Sequence, residues 1–175
     1  ITGNGNYNGP VGLGTLVKAT YTDFKDATIQ VSGGTFSSAV LPEYCADGFV
    51  PKDNGNGTFG VKADTSVAEV NGKKYETLQA AIDKAPRNAT VTLLAATREN
   101  VTIDKAMTLD LNGHTLNGST GERKPALTIT ARTVTIKDSS EAQTGTIMRE
   151  DTAENSGVSS HYVIDIQGNA WVMFE

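Results

Sequence analysis

Six charged side chains fall where a reactive or cation-binding face could form: Asp104, Lys105, Asp110, Lys137, Asp138 and Asp165. Acids grouped on one exposed face can hold a divalent cation or a substrate carboxylate. A Lys or Arg beside them can abstract the proton α to that carboxylate. Asp110 and Asp165 alternate so as to share one solvent face, and both are candidate ligand-binding residues. Two stacked layers apart, they would stand roughly 10 Å from each other, too far to chelate one ion. Solvated surface charges account for the six more simply.

Other chemistries find less support. Hydrolysis by paired acids needs neighbouring carboxylates pushed to different pKa values, and no Asp-Asp pair occurs in the chain. Glu150-Asp151 lies in a polar stretch where water would screen both groups. His114, in LNGHTL, reads as a corner residue bonding locally to backbone, and His161 has no identifiable partner. There is no nucleophile elbow, phosphate-cradling loop or HExxH motif. Gly3-Asn4-Gly5 and Gly12-Leu13-Gly14 lack a strand-to-helix context and read as turns. The single cysteine, Cys45, excludes an internal disulfide framework and a Cys-rich zinc site, and reads as a small buried hydrophobe beside Tyr44. No catalytic residue, metal site or cofactor emerges. Tyr162 and Trp171 are candidate sugar-stacking residues, since aromatic faces pack on pyranose rings; a ladder of aromatics inside the last layer is the alternative.

The elements that must position these groups are short strands. The 175 residues suffice for one domain or two small ones. Aromatics are only 6%, so a core must be built from Val, Ile, Leu and Ala, and eighteen glycines point to many turns. This is an all-β composition. A formal charge of −5 argues against a nucleic-acid partner and against a polybasic membrane patch. No apolar run is long enough to insert in a membrane. The chain opens on ITGNGNYNG and stops on WVMFE without signal peptide or terminator, so we expect both ends to be cuts in a longer protein.

Ala27 to Val31 alternates as a strand, and Asp53-Asn54-Gly55-Asn56-Gly57 is a hairpin-type turn before Thr58 to Val61. Tyr44, Phe49 and Val50 could anchor a small apolar cluster. The character changes at Ala63-Asp64, giving expected units of 1–63 and 64–175. Asn71-Gly72 is a hairpin signal. Leu78, Ala81, Ile82 and Ala85 then fall on one helical face, predicting a helix over about 77–85 with Thr77 as N-cap and Pro86 as its end.

Nine runs of two to five residues follow, from Val91 to Phe174, most of them separated by Gly, Asn, Asp or Ser. A hairpin meander favours longer strands joined by two-residue turns. Here phrases recur instead: ENVTIDKAMTLDL, PALTITARTVTIKD and HYVIDIQGNAWVMF each pair two short runs. This is the pattern of a solenoid, a parallel β-helix, with a β-sandwich as the rival. The two runs of MTLDLNGHTLNG would be two sides of one rung. Leu109 and Leu111 would stack over Leu127 and Ile129, and those over Ile164 and Ile166. Thr108, Asp110, Thr128, Thr130 and Asp165 would face solvent. Asn112 and Asn117 would occupy corners, because Asn tolerates left-handed backbone.

YETLQAAIDKAPRNATVTLL resembles the N-terminal signature of pectate-lyase-like right-handed β-helix domains, in which an amphipathic helix caps the first coil. ENVTIDKAMTLDLNGHTLNG, LTITARTVTIKDSS and GTI resemble β-helix modules of large surface proteins of Gram-positive, especially gut, bacteria. IQVSGGTFSSAVLPEYCADGF with DNGNGTFGVK resembles the tail that closes one such module. The resemblance implies an all-β chain in which residues 1–63 end one β-helix and 64–175 begin the next. The polar stretch 141–162 departs from the pattern and reads as a loop leaving one coil.

The expected function is a non-catalytic structural or adhesive module of a secreted or cell-wall-attached bacterial protein, acting as spacer or ligand-presenting surface. The alternatives are a fragment of a polysaccharide lyase or glycoside hydrolase, and a glycan-binding module. Expected partners are a glycan or host surface protein, neighbouring modules of the same chain, and a second copy meeting the open end. Asn-x-Ser/Thr triplets at Asn56, Asn88, Asn100 and Asn117 matter only in a eukaryotic secretory route.

Overall fold

A computed structural model describes residues 30–120, 124–150 and 162–175. The glycine turns near the N-terminus, most of the strand expected over 27–31, Asp151 and His161 lie outside the described residues. The chain divides into two compact units, Ile1–Asp64 and Thr65–Glu175.

In the first unit, β1 (Phe49–Asp53) pairs antiparallel with β2 (Phe59–Ala63). Their connection is held by its own side chains. Asp53 Oδ1 accepts from the Gly55 N–H at 2.8 Å, and Asn56 Oδ1 accepts from the Thr58 N–H at 3.1 Å. Gly55 and Gly57 take φ of +76° and +79°, which is why glycine stands at both. Val31 and Val40 are buried, whereas Tyr44, Phe49 and Val50 are half-buried. Cys45 is also half-buried rather than buried: it follows a 3-10 turn at Pro42–Tyr44, and its Sγ lies 3.7 Å from Leu41 O.

The second unit begins with a hairpin, β3 (Ala68–Val70) and β4 (Lys73–Tyr75), turned through Asn71-Gly72 with both φ positive. α1 (Leu78–Lys84) follows, and Thr77 Oγ1 accepts from the Ala80 N–H at 3.2 Å. Leu78, Ala81 and Ile82 are fully buried, so the apolar stripe is the packed face. Seven residues are too few for a helix to persist alone, and its neighbours must hold it.

Ten strands complete the unit. They are β5 (Thr90–Leu93), β6 (Thr97–Arg98), β7 (Val101–Ile103), β8 (Met107–Asp110), β9 (Thr115–Asn117), β10 (Leu127–Ile129), β11 (Thr133–Lys137), β12 (Thr146–Met148), β13 (Ile164–Ile166) and β14 (Trp171–Phe174). Each pairs in parallel with the strand three places along. One sheet runs β5-β8-β11-β14, a second β6-β9-β12 and a third β7-β10-β13. β3 adds to β5 antiparallel, with β4 outside it. The described fold is therefore all-β apart from α1, and its sheets are open. The two runs of MTLDLNGHTLNG are β8 and β9, which belong to different sheets and are not hairpin arms.

Register places like residues above one another. Val91, Leu109, Ile136 and Phe174 are successive partners in the first sheet. Val101, Leu127 and Ile164 are partners in the third, as are Ile103, Ile129 and Ile166. The columns proposed from the sequence are corrected here. Leu109 does not stack on Leu127 or Ile129, because β8 and β10 lie in different sheets. The expected repeat missed one strand, β6 at Thr97–Arg98, and pairing returns to the same sheet at every third strand. All but the last member of each column are essentially inaccessible to water, and burying such side chains stabilises the fold by about 1.5–3 kcal/mol each.

Candidate functional site

Asp110 ends β8 opposite Lys137 of β11. It is only 4% exposed, so the expected solvated carboxylate is a buried one. The turns that follow β8 and β11 fold over it. Asp110 Oδ1 accepts from the Asn112 and Ser139 N–H groups, each at 3.0 Å, while Oδ2 stands 3.4 Å from Lys137 Nζ. Burial alone would raise its pKa. The hydrogen bonds from Ser139 and Asn112, with the Lys137 charge, outweigh burial and lower it.

Asp138, the residue after Lys137, continues this polar corner. Its Oδ1 accepts from the Gly113 and Ser140 N–H groups at 2.8 and 3.0 Å, and Oδ2 from Gly145 at 2.5 Å. Desolvation pushes this carboxyl up, but the amide donors, Gly145 foremost, hold it at about 2. Asn112 has φ of +45° and passes a hydrogen bond from Nδ2 to Leu93 O at 3.0 Å. Successive layers are thus stitched at one corner by Asn112, Asp110 and Asp138. These carboxylates have their lone pairs directed at backbone N–H groups, the geometry of a structural brace. His114 joins the corner through its backbone: its N–H donates to Leu111 O and its carbonyl accepts from Thr146.

Asp165 is elsewhere. It lies in β13, paired with Thr128, and Gln167 Nε2 donates to its Oδ2 at 2.7 Å. Asp110 and Asp165 therefore belong to different sheets and do not share a face. The apparent match came from two-residue alternation within each run, which says nothing about which sheet a run enters.

A second corner is organised by Asn100. Its Nδ2 donates to Gly118 O at 2.8 Å, Pro125 O at 2.9 Å and Lys124 O at 3.2 Å, and its Oδ1 accepts from Thr120 Oγ1. Arg98 Nε donates to Ser119 O. Asn117 ends β9 and does not take a left-handed conformation; its Oδ1 accepts from the Ser119 N–H at 2.8 Å. Ser119 in turn exchanges hydrogen bonds between its hydroxyl and the Glu150 backbone.

The helix is fixed by residues that no motif announces. Glu99 receives the Leu78 N–H on Oε1 at 2.8 Å and the Gln79 N–H on Oε2 at 3.1 Å. Gln79 pairs its side-chain amide with the outer edge of β7, donating to Thr102 O and accepting from the Thr102 N–H. At the other end Lys105 Nζ donates to Asp83 O and Ala85 O at 2.9 and 3.0 Å. An anion at the first turn and a cation at the last both oppose the helix dipole. A carboxylate just before a run such as VTI was the available signal, but its target lies twenty residues upstream.

Tyr162 and Trp171 are 61% and 69% exposed. An internal aromatic ladder is thereby overturned, since Trp171 is the partner of Thr133, on the side of the sheet away from the Val134 and Ile136 core positions. Phe174, Ile166 and Met173 are exposed close by in sequence, on the edge strands β13 and β14. Among the described residues no three His, Cys, Asp or Glu side chains converge as metal ligands, and no helix is long and apolar enough to cross a membrane. Comparison with protein-family models, with curated proteins and with solved structures finds no match.

Proposed function

We propose that residues 64–175 form the start of a right-handed parallel β-helix of the pectate-lyase-like kind, preceded by the tail of a neighbouring module. The observation that carries this reading is the column Val91-Leu109-Ile136-Phe174, in register through four parallel strands that recur every third element. Parallel strands joined by crossovers turn right-handed in the great majority of cases. In this reading α1 and the β3–β4 hairpin close the first coil.

The function most consistent with this architecture is a non-catalytic spacer or ligand-presenting module of a secreted or wall-attached bacterial surface protein. The buried Asp110 and the half-buried Asp138 both have carboxylates engaged by backbone donors, which favours bracing over proton transfer or ligand capture. A stack of in-register layers resists bending, as a spacer must. The test is mechanical: pulled from its two ends, the second unit should hold as one cooperative block rather than yield strand by strand. Release of single layers at low force would remove the spacer reading.

A second reading rests on the exposed Trp171 and Tyr162. In it these aromatics stack on a host, dietary or bacterial glycan. Screening the chain against plant, mucin and bacterial glycans decides it: binding lost on Trp171→Ala supports the reading, and silence across all three classes ends it.

A further inference from the structure

We propose that Asn71, in the hairpin that opens the second unit, is a site of spontaneous covalent modification, deamidating ahead of the other described Asn-Gly pairs. Five such pairs are described: Asn54-Gly55, Asn56-Gly57, Asn71-Gly72, Asn112-Gly113 and Asn117-Gly118. Glycine follows every one of them, so the local sequence gives all five a similar intrinsic reactivity. The fold separates them.

The reaction needs two atoms free to meet. The Gly amide nitrogen loses its proton to hydroxide and attacks the Asn Cγ. The new N–Cγ bond closes a five-membered succinimide as the Cγ–Nδ2 bond breaks, and ammonia departs with a proton from water. Water then adds to one of the two ring carbonyls, leaving an aspartyl or isoaspartyl residue. A hydrogen bond on the attacking N–H must break first, and hydrogen bonds on the carboxamide restrain the rotation that brings Cγ to the nitrogen.

Four pairs carry such bonds. Gly113 N donates to Asp138 while Asn112 Nδ2 donates to Leu93 O. Gly118 N donates to Met148 O at 2.8 Å, and Asn117 Oδ1 accepts from Ser119. Gly55 N donates to Asp53, with Asn54 Nδ2 on Thr58 Oγ1 at 3.1 Å. Asn56 Oδ1 accepts from both the N–H and the hydroxyl of Thr58. Asn71 differs. Among the described residues neither its carboxamide nor the Gly72 N–H has a partner, and both residues are exposed. A side chain begun at Gly72 would meet no atom within 4 Å, as at Gly55 and Gly57, so it is the missing hydrogen bonds and not open space that set Asn71 apart. Each hydrogen bond that must break slows a competing pair by about fivefold or more.

The modification matters for the fold because the two-residue turn sets the Val70–Lys73 register. An isoaspartyl residue adds a methylene to that backbone. The inference does not depend on the surface-module reading.

The experiment is peptide mapping by mass spectrometry after incubation in mildly alkaline buffer, once folded and once in urea. In the folded chain the peptide holding Asn71 should gain the mass of amide-to-acid conversion several-fold faster than those holding the other four. In urea the five rates should converge. Asp138→Ala should speed Asn112 specifically. A folded-state ranking that matches the unfolded one, or any of the other four pairs ahead of Asn71, overturns the proposal.

Discussion

Lys137 stands directly across from Asp110 in the adjacent parallel strand, its Nζ 3.4 Å from Asp110 Oδ2. The lysine is one-third exposed and the carboxylate almost wholly covered, so the hydrogen bonds matter more here than the ion pair. Asp110→Ala leaves the Asn112 and Ser139 N–H groups without acceptors and should cost about 1–3 kcal/mol. Lys137→Met should cost well under 1 kcal/mol. Urea denaturation of the two variants checks the order. An equal loss would mean that the charge pair, not the amide capping, braces the corner.

Acid should loosen the same corner. Asp110 and Asp138 both have folded pKa values below the ordinary 3.8, and Asp138 sits at about 2. A depressed folded pKa contributes stability that is complete above the unfolded value and is lost as pH falls through the folded one. Stability should therefore decline from just above pH 3.8 down towards pH 2. Asp138→Asn should flatten that decline, which melting curves across the range will read. An unchanged slope would remove Asp138 from the account.

Glu99 holds the first two N–H groups of α1. Glu99→Ala should destabilise the second unit by about 1–2 kcal/mol, combining a lost cap with a lost favourable charge at the helix start. Hydrogen exchange should localise the loss to Leu78 and Gln79. Uniform loosening of the whole unit would contradict a local cap.

Gly118 and Gly145 are close approaches, not flexible joints. A Cβ on Gly118 would come 2.5 Å from both Cα and Cβ of Ala126, and one on Gly145 would come 2.6 Å from Leu111 Cβ. Gly118→Ala should cost about 1–3 kcal/mol through overpacking. Gly72→Ala meets open space but inherits a φ of +75°, so its cost should be backbone strain alone. Thermal unfolding of the two variants separates the effects.

The exposed edge strands β13 and β14 carry Ile166, Trp171, Met173 and Phe174. Unpaired edges with apolar side chains recruit further strands. Self-association should grow with concentration and fall on Phe174→Asp, with little change in melting temperature. Light scattering that finds only single chains at millimolar concentration would exclude it.

Much of the architecture was legible because its causes are local. Thr77, the Leu78–Ala81–Ile82 spacing and Pro86 define a helix within ten residues, and Asn71-Gly72 defines a hairpin within two. The short runs of the second unit were legible as strands for the same reason. What failed was anything requiring long-range register. Leu109 was stacked on Leu127 because both sit in similar phrases, yet the chain visits three sheets before returning. Asp110 looked like a surface charge because the turn that covers it, Asp138 to Ser140, lies nearly thirty residues later. Glu99, Gln79 and Lys105 were invisible as a set, since only folding brings them to the two ends and flank of one helix.

Returning every third strand to the same sheet has an evolutionary consequence. A stretch that supplies one strand to each sheet is a complete, interchangeable unit. In the proposed β-helix its duplication or loss would change the height of the pile by about 4.8 Å while α1 and the β3–β4 hairpin, which would close the first coil, stay untouched. Such a molecule can be lengthened or shortened in whole steps by recombination, with no need to redesign its interior.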